Sequence, residues 1–139
     1  MNKIETKEQE LISEFEMMDS WDAKYEYIIE LGKDLPLIDA KYKTDENKIK
    51  GCQAQVWLHA EKKEGKIFFT ADSDAIITKG IISLLVRVFS GATPEEIQKA
   101  DLSFIDKIGL TNHLSPTRSN GLLSMVKQMK YYAIALGGK

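Results

Sequence analysis

Val56-Trp57-Leu58-His59-Ala60-Glu61-Lys62-Lys63-Glu64-Gly65-Lys66-Ile67-Phe68-Phe69-Thr70-Ala71 is the stretch on which the fold turns. Val56, Leu58 and Ala60 alternate with Gln55, Trp57 and His59. Ile67, Phe69 and Ala71 repeat the alternation beyond Glu64-Gly65. Side chains on a strand point to opposite faces in turn, so each run reads as a half-buried strand and the pair as an antiparallel hairpin.

The period changes on both sides of this hairpin. Upstream, Ile4, Leu11, Phe15 and Met18 recur at near-helical intervals with Glu8, Glu10, Glu14 and Glu16 between them, an amphipathic helix with an acidic outer face. A second helix, from about Trp21 to Lys33, carries Trp21, Tyr25, Ile28 and Ile29 on one side. Leu35-Pro36 ends it, because the residue before proline is pushed out of helical geometry. Lys41 to Lys50 is polar and lysine-rich and reads as a loop leading to a short strand or turn at Ile49. Downstream, Asp72-Ser73-Asp74 offers N-cap residues for a helix apolar nearly all round, with Ile77, Ile81, Leu84, Leu85 and Val88 on one face. Such a helix belongs in the core, and Gly80 within it points to a close packing contact. Ser90-Gly91 closes that helix, and Thr93-Pro94-Glu95-Glu96 is a capping box that opens a short helix through Lys99. Ser115-Pro116 or Ser119 starts the last helix, which spaces Leu122, Val126, Met129, Ala133 and Leu136 helically and ends at Gly137-Gly138. Helix, helix, hairpin, then helices predicts an α+β fold, a small antiparallel sheet packed by helices, in one domain over residues 1–139.

The chemistry centres on the one cysteine, Cys52. A lone thiol cannot close an intrachain disulfide or supply most of a metal site, which leaves a buried packing thiol or a single reactive sulfur. The setting, Lys50-Gly51-Cys52-Gln53-Ala54-Gln55, favours the reactive sulfur: glycine suits a tight backbone, and polar amides lead into the strand. Lys48 and Lys50 lie close in sequence, where an ammonium would favour the thiolate, or the two form a solvated loop that could also dock an acidic surface of a partner. His59 and His113 are the only imidazoles. A cysteine–histidine pair is conceivable from either, but with Cys52 they make no metal spacing, and no metal site is expected. Arg118 falls near the positive end of the last helix, where a cation is electrostatically disfavoured. It reads either as a functional cation or as the partner of Asp72 or Asp74.

Net charge is -2 over 139 residues, with 43% hydrophobic and 29% charged. That balance describes an ordinary globular chain and argues against general nucleic-acid binding, which needs a concentrated basic face. The most apolar stretch, Ile76 to Phe89, is interrupted by Thr78, Lys79, Ser83 and Arg87 and does not read as a membrane span. The first residues are polar and mixed in charge, unlike a secretory signal, and a free cysteine suits a reducing compartment, so the expectation is a cytoplasmic protein. P-loop, dinucleotide and nucleophile-elbow patterns are absent from the sequence.

In chain order, Trp21 with Tyr25, Leu31-Gly32-Lys33-Asp34-Leu35-Pro36, Gly51-Cys52-Gln53-Ala54-Gln55-Val56-Trp57-Leu58, Ala71-Asp72-Ser73-Asp74-Ala75, Lys79-Gly80, Ser90-Gly91-Ala92-Thr93-Pro94-Glu95-Glu96-Ile97 and His113-Leu114-Ser115-Pro116-Thr117-Arg118-Ser119-Asn120-Gly121-Leu122 resemble the SufE-type sulfur acceptors of iron–sulfur cluster assembly. The match covers nearly the whole chain beyond the first helix. One departure is Ala54, where the family usually has serine; a hydroxyl near the thiol is lost and the sulfur chemistry is left in place.

The resemblance implies a fold shared with the IscU-like cluster scaffolds, without the several cysteines those scaffolds use to hold a cluster. It implies that Cys52 receives persulfide sulfur from a SufS-type cysteine desulfurase, stimulates that enzyme, and passes the sulfur to a SufBCD-type scaffold complex. On this reading the chain is a carrier rather than an enzyme, and pyridoxal phosphate belongs to the partner. Gly51 would be the loop hinge, Arg118 with Asp74 would help set the resting loop, and Gln53 and His113 would complete the loop and pocket. A persulfide open to water is lost to reductants and oxidants, so the loop should shelter the sulfur and extend on docking. Three alternatives stand beside this: a CsdE-type acceptor served by a CsdA-type desulfurase, a stand-alone cysteine-nucleophile enzyme, and an adaptor in which Cys52 is incidental.

Overall fold

The structure, a computed structural model, describes residues 2–101 and 103–137. Its helices are α1 (Lys3–Glu16), α2 (Trp21–Lys33), α3 (Ile76–Phe89), α4 (Pro94–Lys99), α5 (Ser103–Lys107), α6 (Leu110–His113) and α7 (Pro116–Gly137). Strands β1 (Val56–Lys63) and β2 (Lys66–Ser73) lie between α2 and α3, preceded by 3₁₀ turns at Ala40–Tyr42 and Asp45–Asn47.

The hairpin forms where the alternation predicts it. Val56 faces Ser73 at one end and Lys63 faces Lys66 at the other, leaving Glu64 and Gly65 as a two-residue turn. Both turn residues have positive φ, 52° and 77°, which matches the twist of the strands it joins. Val56, Leu58, Ala60, Ile67, Phe69 and Ala71 point inward and are buried. The other face is partly covered as well: the Tyr42 ring stacks on His59 at 3.7 Å, and Lys43 lies 4.6 Å from the Trp57 ring. Single bridges guard the edges, Leu37 to Ala71 on one side and Lys48 to Trp57 on the other.

α3 runs through the core, buried from Ile81 to Val86 and again at Val88 and Phe89. Gly80 lets α2 cross it closely, because a Cβ at Gly80 would collide with the backbone carbonyl of Ile28. Ser83 fastens the same crossing by donating to the Leu31 carbonyl at 2.7 Å. The capping box at Thr93 and Glu96 forms as the sequence predicts, and Ser115 Oγ accepts from the Arg118 N–H at the start of α7.

Two expectations need correction. The N-cap of α3 is Ala75, without a side-chain bond, because Asp74 is turned toward Gln55 and Asp72 toward Lys43 and Lys79. The glutamates of α1 do not form one outer face. Glu8 is buried, and Glu14 takes a bidentate bond from Arg87 of α3 at 2.9 and 2.6 Å. The short helices α5 and α6 have no counterpart in the periodicity, and Gly138, expected as part of the α7 terminus, lies outside the described residues.

Candidate functional site

Cys52 lies in the loop that enters β1, four residues before the strand begins. Gly51 makes the entry possible in two ways. Its φ is +92°, a backbone that side-chain-bearing residues rarely adopt, and a Cβ there would stand 2.6 Å from Ser124 Oγ on α7. The loop therefore presses against α7 at Gly51 and again one residue later. Cys52 Sγ lies 3.6 Å from the Gly121 carbonyl oxygen, a weak S–H···O bond. A Cβ at Gly121 would stand 3.4 Å from the sulfur, in ordinary contact, so the thiol packs directly on this turn of α7.

Beside the sulfur is a cavity of about 350 Å³ lined by Cys52, Gln53, Ala54, Asp74, Ala75, Thr78, Ile81, Thr117, Arg118, Gly121 and Met125. It is walled by the loop, the start of α3 and the first turns of α7. Cys52, Gln53, Asp74 and Arg118 are thus brought together from the positions singled out in the sequence. Gly51 is adjacent, at the left-handed turn of the loop. Thr117 and Gly121, from the run that carries the family resemblance, complete the wall with Thr78, Ile81 and Met125, which carry no separate sequence signal because each also fits an ordinary helix pattern.

Asp74 holds the loop exit through its own side chain and backbone. Its carboxylate accepts from the Gln55 N–H at 2.9 Å, and its backbone N–H donates to the Gln55 carbonyl at 3.2 Å. Arg118 takes no part in that restraint: among the described residues it forms no ion pair with Asp72, Asp74 or any other carboxylate. His113 does not line the cavity. Its ring stacks on Trp21 at 3.8 Å with Nδ1 2.9 Å from the Gly109 carbonyl, while Tyr25 donates to its backbone oxygen. It joins α2 to the approach of α7. His59 lies on the outer sheet face with Tyr42 and 3.6 Å from Glu61, so neither imidazole is set to deprotonate Cys52 here.

Electrostatically, the resting thiol is kept neutral. Burial pushes the Cys52 pKa above the ordinary thiol value, the opposite of the lowering expected from Lys48 and Lys50. Lys48 instead reaches Asp45 at 3.2 Å, and Lys50 is exposed outside the cavity. Among the described residues, no group of three or more His, Cys, Asp or Glu side chains is placed to hold a metal ion. Nor is any helix of those residues long and apolar enough to cross a membrane.

Fold and site together define a small α+β protein organised around one half-buried thiol on a loop that turns at a left-handed glycine. The chain belongs to the SufE family: the family model, described as "Fe-S metabolism associated domain", matches residues 9–133. An uncharacterized SufE-like protein of Rhizobium meliloti is 41% identical over 130 residues, covering 90% of this chain and 93% of that one. A chloroplastic/mitochondrial SufE-like protein of Arabidopsis thaliana is 39% identical over 98% of this chain, which spans only 37% of the plant protein's length. In architecture the chain is similar to a hypothetical protein from Thermus thermophilus solved in solution, with a TM-score of 0.81 over 96% of this chain and 97% of that one. At 18% identity that likeness shows the fold alone. Family membership ties the chain to a sulfur-transfer role in iron–sulfur metabolism.

Proposed function

We propose that the chain is a persulfide carrier that accepts sulfur on Cys52 from a SufS-type cysteine desulfurase and hands it to a SufBCD-type scaffold complex. The observation that carries this reading is the thiol itself: solitary, half-buried, and facing a cavity with room for a second sulfur atom. In the reaction the Cys52 thiolate attacks the outer sulfur of the donor's persulfide. The donor's S–S bond breaks, its inner sulfur leaves as a thiolate, and Cys52 becomes Cys52–S–SH. No oxidant or reductant is consumed, because the sulfane sulfur only changes its carrier.

The neutral resting thiol fits a carrier better than a self-sufficient enzyme. A free nucleophile would need its thiolate in the apo state, whereas a carrier needs it only when the donor is docked. Docking that lifts the loop off Gly121 would remove the burial that holds the proton on sulfur. Pyridoxal phosphate belongs to the desulfurase on this reading, and this chain contributes no cofactor of its own beyond the transient persulfide. A reducing compartment keeps the unloaded thiol free.

Intact mass after incubation with a SufS-type desulfurase and cysteine tests the proposal. One extra sulfur is expected on the wild-type chain and none on Cys52→Ser. A chain that stimulates an active desulfurase equally well with Cys52→Ser would instead be an adaptor. Substituting a CsdA-type donor decides which desulfurase the chain serves.

A further inference from the structure

The Cys52 cavity is larger than a transferred sulfur atom requires. At about 350 Å³ it falls in the range of small-molecule sites, roughly 300–1,000 Å³. Its wall is also charged in a specific way. Asp74 and Arg118 both line it, and among the described residues neither belongs to an ion pair. Neighbouring acids are consumed elsewhere: Asp72 by Lys43 and Lys79, and Asp45 by Lys48. Asp74 commits one carboxylate oxygen to the Gln55 N–H. Arg118 stands in the first turn of the 22-residue α7, beside Thr117, so the helix end adds positive potential where the guanidinium already supplies it. Buried Ile81 and Met125 give the same cavity an apolar side. One carboxylate with an oxygen left over from its Gln55 bond, one guanidinium outside any ion pair among the described residues, both solvent-exposed, and one half-buried thiol therefore line a single small space.

A zwitterion satisfies that arrangement. A cysteine within a folded partner brings neither an α-ammonium nor an α-carboxylate, whereas a free α-amino-acid donor brings both. We propose that the cavity takes a free α-amino-acid persulfide, with its carboxylate on Arg118 and the α7 N-terminus, its ammonium on Asp74, and its outer sulfur against Cys52 Sγ. This rests on the reading of Cys52 as a sulfur acceptor and adds a small-molecule donor to it. The Cys52 thiolate attacks the outer sulfur; the persulfide S–S bond breaks and its electron pair leaves on the inner sulfur. The products are Cys52–S–SH and the free amino-acid thiol, which takes up the proton released by Cys52. Atoms and electrons balance without a further reactant.

The test is the rate at which the whole chain, without any desulfurase, gains one sulfur from cysteine persulfide, read by intact mass. The comparison donor is the persulfide of N-acetylcysteine methyl ester, which has the same sulfane sulfur and neither charge. Each rate is divided by that donor's rate with free glutathione, which removes the difference in leaving-group pKa. The normalised rate should saturate with cysteine persulfide and exceed that of the capped donor by roughly tenfold or more, the worth of one charge-assisted bond. Arg118→Gln and Asp74→Asn should each bring the ratio toward one. Equal normalised rates, or a preference that survives both substitutions, would overturn the proposal. A parallel reaction with desulfurase and cysteine separates the two readings. Sulfur gained there, with the two small donors equal, overturns only the small-molecule site; no gain from any donor overturns the acceptor reading with it.

Discussion

At Cys52 the protein holds a nucleophile in its unreactive form. Burial favours the neutral thiol, and its S–H donates a weak hydrogen bond to the Gly121 carbonyl. Alkylation by iodoacetamide at neutral pH should therefore run slower in the folded chain than in the same chain unfolded in urea. Its rate should still be climbing with pH where the unfolded thiol has levelled off; a folded thiol as fast as the unfolded one would remove the case for a sheltered sulfur. Gly51 is the second residue with a testable load. Gly51→Ala places a side chain in left-handed backbone, costing about 1–2 kcal/mol, and drives its Cβ toward Ser124 Oγ. Urea unfolding should show that loss, and Ser124→Ala in the same chain should recover the steric share only. An unchanged midpoint would mean the loop leaves this conformation freely. Cys52, Gln53, Asp74 and Arg118, candidates in the sequence because each sits in a distinctive run, do line one cavity. Thr78, Ile81 and Met125 line it without being legible in the sequence, because a cavity wall is set by how far apart two helices pack, which no local pattern records. His113 misleads for a related reason: it is near Arg118 in sequence, but its ring is claimed by Trp21.

Among the elements, the hairpin and the long helices are readable because each repeats its period several times. α5 and α6 span five and four residues, too few to show a helical repeat, so the stretch between α4 and α7 carries no periodic signal. The N-cap of α3 differs from its sequence pattern because Asp74 has a better use in holding the loop exit. Gly80 does mark the close crossing that its place in an apolar helix suggests, and it yields a prediction whose sign is informative. By helix propensity alone, Gly80→Ala should stabilise by about 1 kcal/mol. The structure reverses this, since the new methyl meets the Ile28 carbonyl, which is backbone and cannot rotate away. A loss of about 1–3 kcal/mol or more is expected, measured as a lowered urea midpoint. Any gain in stability would show that α2 and α3 do not cross as closely as described. Gly65→Ala is the contrast: nothing lies within 4 Å of its Cβ, so only the left-handed backbone is strained.

For the whole molecule, the way α1 is attached makes stability depend on pH in two separate windows. One side of α1 is tied to α3 by Glu14 and Arg87, and Lys7 donates to the Ser90 carbonyl at 2.8 Å. The hydrogen bond from Arg87 lowers the Glu14 pKa, so its contribution is present above the ordinary carboxylate range and lost as pH falls through the lowered value. Another α1 side chain, Glu8, behaves oppositely. Only 9% of it is exposed, its Oε2 has no hydrogen-bond partner among the described residues, and it lines a small cavity with Asn2, Glu5, Lys99 and Asp101. Burial first, then the charges of Asp101 and Glu5, raise its pKa from 4.5 to about 7, with Lys107 opposing. A raised folded-state pKa means the folded chain binds this proton more tightly than the unfolded one. Its stabilisation is complete below pH 4.5 and is lost as pH rises through about 7. Each tenfold gain in proton affinity on folding is worth about 1.4 kcal/mol, and partial hydration of the site reduces the total, so about 1–3 kcal/mol is expected. Glu8→Gln keeps the shape of the protonated acid and cannot ionise. Urea unfolding at about pH 5 and about pH 8 should therefore show the wild type losing about 1–3 kcal/mol more than Glu8→Gln between them. Parallel pH profiles for the two chains would mean that Glu8 is hydrated when ionised, and that α1 is not closed over it.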